Sequence, residues 1–130
     1  MKFNMNIGYN KRLFILPFDH RSSFLKTMFG IGERNQTEEE FEKIKKAKEI
    51  IYNGFKLALE SGLPRESAAI LLDEEFGDEL LRDAQTRGYT IILTIEKSGQ
   101  KEFDFEYGEA FAEHVKKYNP TFVKALIHYN

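Results

Sequence analysis

Short apolar runs that end in charge alternate along the chain with longer stretches whose apolar residues recur every three or four positions. The first run, LFILPFDHR at Leu13–Arg21, sets the pattern. A run of this length is a buried strand or part of a buried helix, and periodicity does not separate them. Pro17 does, because proline lacks an amide donor and clashes with a preceding helical turn, yet is tolerated near the end of an extended segment. Leu13–Phe18 is therefore predicted as a buried strand, with Asp19, His20 and Arg21 just past its C-terminal end. On position alone, Asp19 reads equally well as a helix N-cap with two solvated neighbours. Further runs place strands at Ala68–Leu72, Thr90–Ile95 and Phe122–Tyr129.

The helical stretches lie between them. Thr37 followed by Glu40 is a capping box, in which hydroxyl and carboxylate each satisfy a free backbone amide. After it, Phe41, Ile44, Ala47, Lys48, Ile51, Phe55, Ala58 and Leu59 fall on one stripe, and Gly62 and Pro64 mark its stop. Gly54 inside this helix costs about 1 kcal/mol against alanine, so a close approach to the sheet is expected there. Shorter helices are predicted at Ser22–Met28, about Gly77–Arg87 and Phe105–Tyr118. Met1–Lys11 reads as an irregular arm, with a short strand at Met1–Ile7.

The order is β-α-β-α-β-α-β, and the strands read apolar on both faces, as in a parallel sheet covered by helices. Each strand ends in polar residues: Asp19-His20-Arg21, Asp73-Glu74-Glu75, Glu96-Lys97 and His128-Tyr129-Asn130. Loops are polar wherever they lie, but charge at the same end of successive parallel strands is what the active face of a (β/α) barrel requires. Lys124 interrupts the last run between Val123 and Ala125. A lysine pointing inward is paired, depressed in pKa, or both, which suits an anion contact, a general acid or an imine-forming amine. Otherwise the strand starts at Ala125, and Lys124 snorkels from its end.

Composition narrows the partners. With 130 residues the chain suits one domain, 1–130, and it has no cysteine for disulfides or thiolate-bound metal. The formal charge is −2, with no basic block to grip a nucleic acid. No run approaches the roughly 18 apolar residues of a membrane span, and the N-terminus lacks the apolar core of a signal peptide. No nucleic acid, no membrane and a cytoplasmic location are the expectations.

The blocks ILPFDHRSSF, ILLDEEFG, IEKSGQKEFDFEYGEAF and PTFVKALIHYN resemble successive strand-end segments of a TIM-barrel aldolase-like domain. That domain is found fused to the 5-dehydro-2-deoxygluconokinase of inositol catabolism, and it is similar to the class I tagatose 1,6-bisphosphate aldolases. The resemblance runs from about Lys11 to Asn130. It implies an α/β fold, the first half (four β/α units) of a (β/α)8 barrel, since a closed barrel has eight strands in about 250 residues. It implies that Asp19 and Lys124 serve catalysis, and that His20, Arg21, Asp73, Glu75, Glu96, Lys97 and His128 bind substrate. His20 matches the kinase-fused domain, whereas the tagatose enzymes have glutamine there. The implied activity is Schiff-base aldol cleavage of a phosphorylated keto sugar acid such as 5-dehydro-2-deoxyphosphogluconate, with no cofactor and no metal.

In that family the imine lysine and the phosphate site belong to later strands, so this chain alone is expected to be incomplete. A homodimer or a separate second-half chain would complete the barrel. Two alternatives stand beside this reading. One is a non-catalytic half-barrel; the other is a divalent-metal sugar-phosphate enzyme using Asp19, Asp73, Glu75 and Glu96 as oxygen ligands.

Overall fold

A computed structural model describes residues 8–32 and 35–129. The elements are β1 (Phe14–Pro17), α1 (Ser22–Phe29), α2 (Glu38–Glu60), β2 (Ala68–Leu72), α3 (Glu74–Thr86), β3 (Thr90–Thr94), α4 (Phe111–Tyr118) and β4 (Phe122–Lys124). Single 3-10 turns at Arg65–Ser67 and Gly108–Ala110 precede β2 and α4. The four strands form one parallel sheet in the order β1-β2-β3-β4. The mixed α/β class and the parallel sheet agree with the sequence pattern. The strand expected at Met1–Ile7 lies outside the described residues. Among the described residues no helix is long and apolar enough to cross a membrane.

The side chains alternate across the sheet as the strand period requires. Ala68, Ile70 and Leu72 of β2 and Ile91 and Leu93 of β3 meet Tyr52 and Phe55 of α2, Leu81 and Ala84 of α3 and Tyr118 of α4 in the main core. Registers Leu71↔Ile92 and Thr94↔Lys124 place these residues on the opposite face. A second apolar cluster, Phe24, Ile31, Ile44 and Phe76, joins α1 to the starts of α2 and α3. The capping box is formed: Glu40 N donates to Thr37 Oγ1 at 3.2 Å and Thr37 N to Glu40 Oε2 at 2.8 Å.

Five details differ from the sequence expectation. First, β1 is an exposed edge, with Phe14 57 % and Ile15 46 % accessible, and only Phe18 just beyond it is fully buried. Secondly, β4 stops at Lys124 rather than Tyr129 because its neighbour β3 ends at Thr94, so residues 125–129 have no strand to pair with. Thirdly, α3 begins at Glu74, since the Asp73 carboxylate caps it by accepting from Phe76 N at 2.9 Å. Fourthly, α4 begins only at Phe111; Glu96 and Phe105 form an antiparallel bridge, and Lys97 N donates to Asp104 O at 2.9 Å, so residues 97–104 make a hairpin-like loop. Lastly, a Cβ at Gly54 would meet nothing within 4 Å, whereas one at Gly77 would lie 2.6 Å from Leu72 Cγ. The close approach to the sheet is therefore at Gly77.

Candidate functional site

Parallel pairing brings the C-terminal ends of the strands to one side. The Phe18 amide donates to Leu71 O at 2.9 Å, which carries the β1–β2 ladder one residue past β1 and delivers Asp19 to that side. Across the sheet the Ile95 amide donates to Lys124 O at 3.0 Å and holds the β3 and β4 ends together, with Glu96 next in the chain. The three charges meet there. Lys124 Nζ donates to Asp19 Oδ2 at 2.8 Å and to Glu96 Oε1 at 2.5 Å, and Thr94 Oγ1 donates to the same Asp19 oxygen at 2.7 Å.

Arg21 fixes the loop after β3 against this cluster. Its Nη1 donates to Glu96 O at 2.8 Å and to Glu106 Oε2 at 3.3 Å, and its Nη2 lies 3.5 Å from Glu96 Oε1. Beside it, Ser22 Oγ and Ser98 Oγ are 2.9 Å apart, which ties the start of α1 to the loop. A cavity of about 390 Å³ opens between these groups. Seven of the nine residues expected to form the site line it: Asp19, His20, Arg21, Glu96, Lys97, Lys124 and His128.

The electrostatics assign different states to the lining groups. Burial opposes charge on Asp19, but hydrogen bonds from Lys124 and Thr94 outweigh it and hold the carboxyl below its usual value. Burial likewise opposes the Lys124 cation, and the two carboxylates outweigh it and raise the amine above its usual value. A lysine held charged in this way is a poor nucleophile, because imine formation needs the neutral amine. His20 goes the other way: burial and then the Lys48 charge lower its pKa, which favours a neutral ring at neutral pH. That ring stands edge-on to Phe24, with centroids 4.2 Å apart.

Asp73 and Glu75 are not part of the cavity lining. One Asp73 oxygen caps α3, and the other accepts from Lys48 Nζ, which also donates to Phe18 O at 2.8 Å. Asp73 is therefore tied into the interior, and its position after β2 reflects capping and pairing. Glu75 is half-buried at the start of α3, and burial, then Glu106 and Asp73, raise its pKa. Lys48 is a second interior lysine beside Lys124, and it is 0 % exposed. Its signal was its place on the apolar stripe, between Ile44 and Tyr52. The lining residues that sequence reasoning passed over, among them Ser22, Ser98 and Phe103, come from the α1 start and the loop after β3, with Leu126 from the segment after β4. The alternation Phe103, Phe105 was the available sign that this loop is extended up to the Phe105 bridge, after which Glu106 and Tyr107 turn.

Among the described residues no three His, Cys, Asp or Glu side chains come together as metal ligands. The four acids of the metal alternative are divided. Asp19 and Glu96 face Lys124, while Asp73 faces Lys48.

No curated protein and no solved structure matches the chain. One family does match, over residues 5–130, and is described as "Uncharacterized protein conserved in bacteria (DUF2090)". With nearly the whole length matched, the chain belongs to that family.

Proposed function

We propose that the chain forms the first half of a (β/α)8-barrel carbon–carbon lyase acting on a phosphorylated keto sugar acid such as 5-dehydro-2-deoxyphosphogluconate. The observation that carries this reading is the convergence of Asp19, Glu96 and Lys124 in one cavity at the C-terminal ends of parallel strands. Two features of the fold support it. The strand order 1-2-3-4 has no reversal, unlike a doubly wound sheet, and the main core joins α2, α3 and α4 to one face of the sheet.

In this reading an amine outside the chain condenses with the substrate carbonyl, releasing water. The iminium then takes the electron pair of the breaking carbon–carbon bond as the substrate hydroxyl loses its proton. Charged Lys124 binds a substrate oxygen, Asp19 and Glu96 hold the Lys124 amine in place, and neutral His20 is the group in the cavity suited to accept a proton. No step needs a cofactor.

The sheet edges bear on what completes the site. Phe14 and Ile15 on β1 and Val123 on β4 are exposed. Beside β1 an apolar trough of about 410 Å³ is lined by residues including Phe14, Ile51, Gly54 and Ala58. Such edges are templates for pairing. For the chain on its own, a second copy related by a two-fold axis sets its β1 against β4 and its β4 against β1. This covers the edges but brings no amine from outside the chain, which in this reading comes from a separate chain supplying the later strands. Sedimentation equilibrium is then expected to give twice 15.2 kDa. A folded species that stays at 15.2 kDa over a tenfold range of concentration overturns this assembly.

The catalytic reading is tested by cleavage of 5-dehydro-2-deoxyphosphogluconate together with borohydride trapping, on the chain alone and with a chain supplying later strands. Cleavage and a reduced adduct are expected only in the completed protein, with the adduct outside this chain. K124M is expected to lower cleavage by about a hundredfold. A reduced adduct on Lys124 itself overturns the assignment of the imine amine. Activity lost only on chelation restores the metal alternative, and no cleavage in either form leaves a non-catalytic module.

A further inference from the structure

Glu96 and Lys124, both of which line the cavity, have one acceptor and one donor still to be matched. Glu96 is 6 % exposed, and its Oε1 receives Lys124 at 2.5 Å, with Arg21 Nη2 at 3.5 Å. Its Oε2 is buried with no hydrogen-bond partner, and it is the one such side-chain atom among the described residues. Leaving a buried acceptor unmatched costs on the order of 1–3 kcal/mol, and such atoms in a native fold call for a reason. Lys124 is the complement. An ammonium has three donors; the cluster engages this one through Asp19 and Glu96, and Lys124 itself lines the cavity.

We infer that Glu96 and Lys124 together form a subsite for two oxygens on neighbouring carbons. A hydroxyl on one carbon donates to Glu96 Oε2, and the oxygen on the next accepts the third donor of Lys124. The ligand class is a vicinal diol or an α-hydroxy carbonyl. A phosphate or carboxylate placed against Glu96 would instead meet charge of its own sign and bring no hydrogen for Oε2. The terminal torsion of a glutamate is broad, and in the proposed complex the carboxylate turns about it to bring Oε2 toward the cavity, with Oε1 moving alongside. Arg21, bound to the Glu96 carbonyl at 2.8 Å, holds the backbone while it turns. This assignment rests on reading the cavity as a substrate site, but not on imine chemistry or on completion of the barrel.

Erythritol and 1,4-butanediol make the comparison, since both have four carbons and only erythritol has a vicinal pair. Neither forms an imine, so the result is independent of whether the protein cleaves anything. Amide NMR titration of the chain is expected to show saturable shifts at Asp19, Glu96 and Lys124 with erythritol, and binding of 1,4-butanediol weaker by about tenfold or more. E96D, which keeps the charge but withdraws the oxygens, is expected to erase that difference. The two probes on the unaltered protein decide the matter even where E96D fails to fold. Absence of saturable shifts with erythritol, equal binding of the two probes, or shifts confined to surfaces away from Glu96 overturns the assignment.

Discussion

Two lysines stand beside acids near the C-terminal ends of the strands, and they differ in almost every other respect. Lys48 is sealed beneath the β1 exit by Phe18 O, the Asp73 carboxylate and the Phe76 ring, whose centroid is 5.6 Å from Nζ. Lys124 stands at the cavity, its side chain 30 % exposed between Asp19 and Glu96. Burial lowers the pKa of Lys48, whereas the two carboxylates carry that of Lys124 upward. The Lys48–Asp73 pair fixes where β1 and β2 end and where α3 begins, while the Lys124 cluster presents charge to whatever enters the cavity. Charge within an apolar run is thus ambiguous, and access to the cavity separates strap from site.

The largest effect that sharpens this contrast is on stability. K48M leaves the Asp73 carboxylate buried without its cation, and such a loss costs about 3–5 kcal/mol. Urea denaturation is expected to show a much lower midpoint with an unchanged slope. K124M should cost less, about 1–2 kcal/mol, because Glu96 retains Arg21 and Asp19 retains Thr94. Equal losses in the two variants would break the distinction.

A smaller effect lies on the acid side. The folded pKa of Asp19 is below its ordinary 3.8. Its pairing therefore stabilises the fold above 3.8 and is lost as pH falls through the lowered folded value. Removing Lys124 leaves burial opposed mainly by Thr94, so the Asp19 carboxyl should titrate at higher pH in K124M. Carbon NMR of the side-chain carboxyl checks this, and an unmoved titration would mean that Lys124 does not govern Asp19.

Legibility in the sequence followed how local the cause was. The Thr37–Glu40 box, the stripe of α2 and the cores of β2 and β3 depend on neighbours within a few positions, and they could be read directly. The extent of β4 depends on where β3 ends, some thirty residues earlier, so an apolar LIHY segment looked like strand when it has no partner. Asp73 looked like a site residue because it follows an apolar run. Its partner Lys48 lies 25 positions away on a stripe where a lysine reads as an interruption. The cavity contributions of Asp19 and Glu96 were legible as strand-end charge and that of Lys124 as a lysine interrupting an apolar run, but the Glu96 oxygen left unmatched is a matter of three-dimensional placement.

The finest test uses the opposite signs of the two lysines on the alkaline side. Lys124 has its folded pKa above the ordinary 10.5, so its stabilisation is full below 10.5 and is lost as pH rises through the folded value. Lys48 has its folded pKa below 10.5. Between that value and 10.5 the unfolded chain binds more protons than the folded one, so the Lys48 contribution grows as pH rises. The stability gap between the natural protein and K48M should therefore widen toward pH 10.5, while the gap to K124M stays level there and narrows only above. These are slopes laid over the larger offsets, so side-chain NMR gives the more direct reading. The methylene next to the Lys48 amine should shift at lower pH than that of Lys124. If Lys124 titrates first, its carboxylates do not hold it charged, and it regains standing as a candidate imine amine.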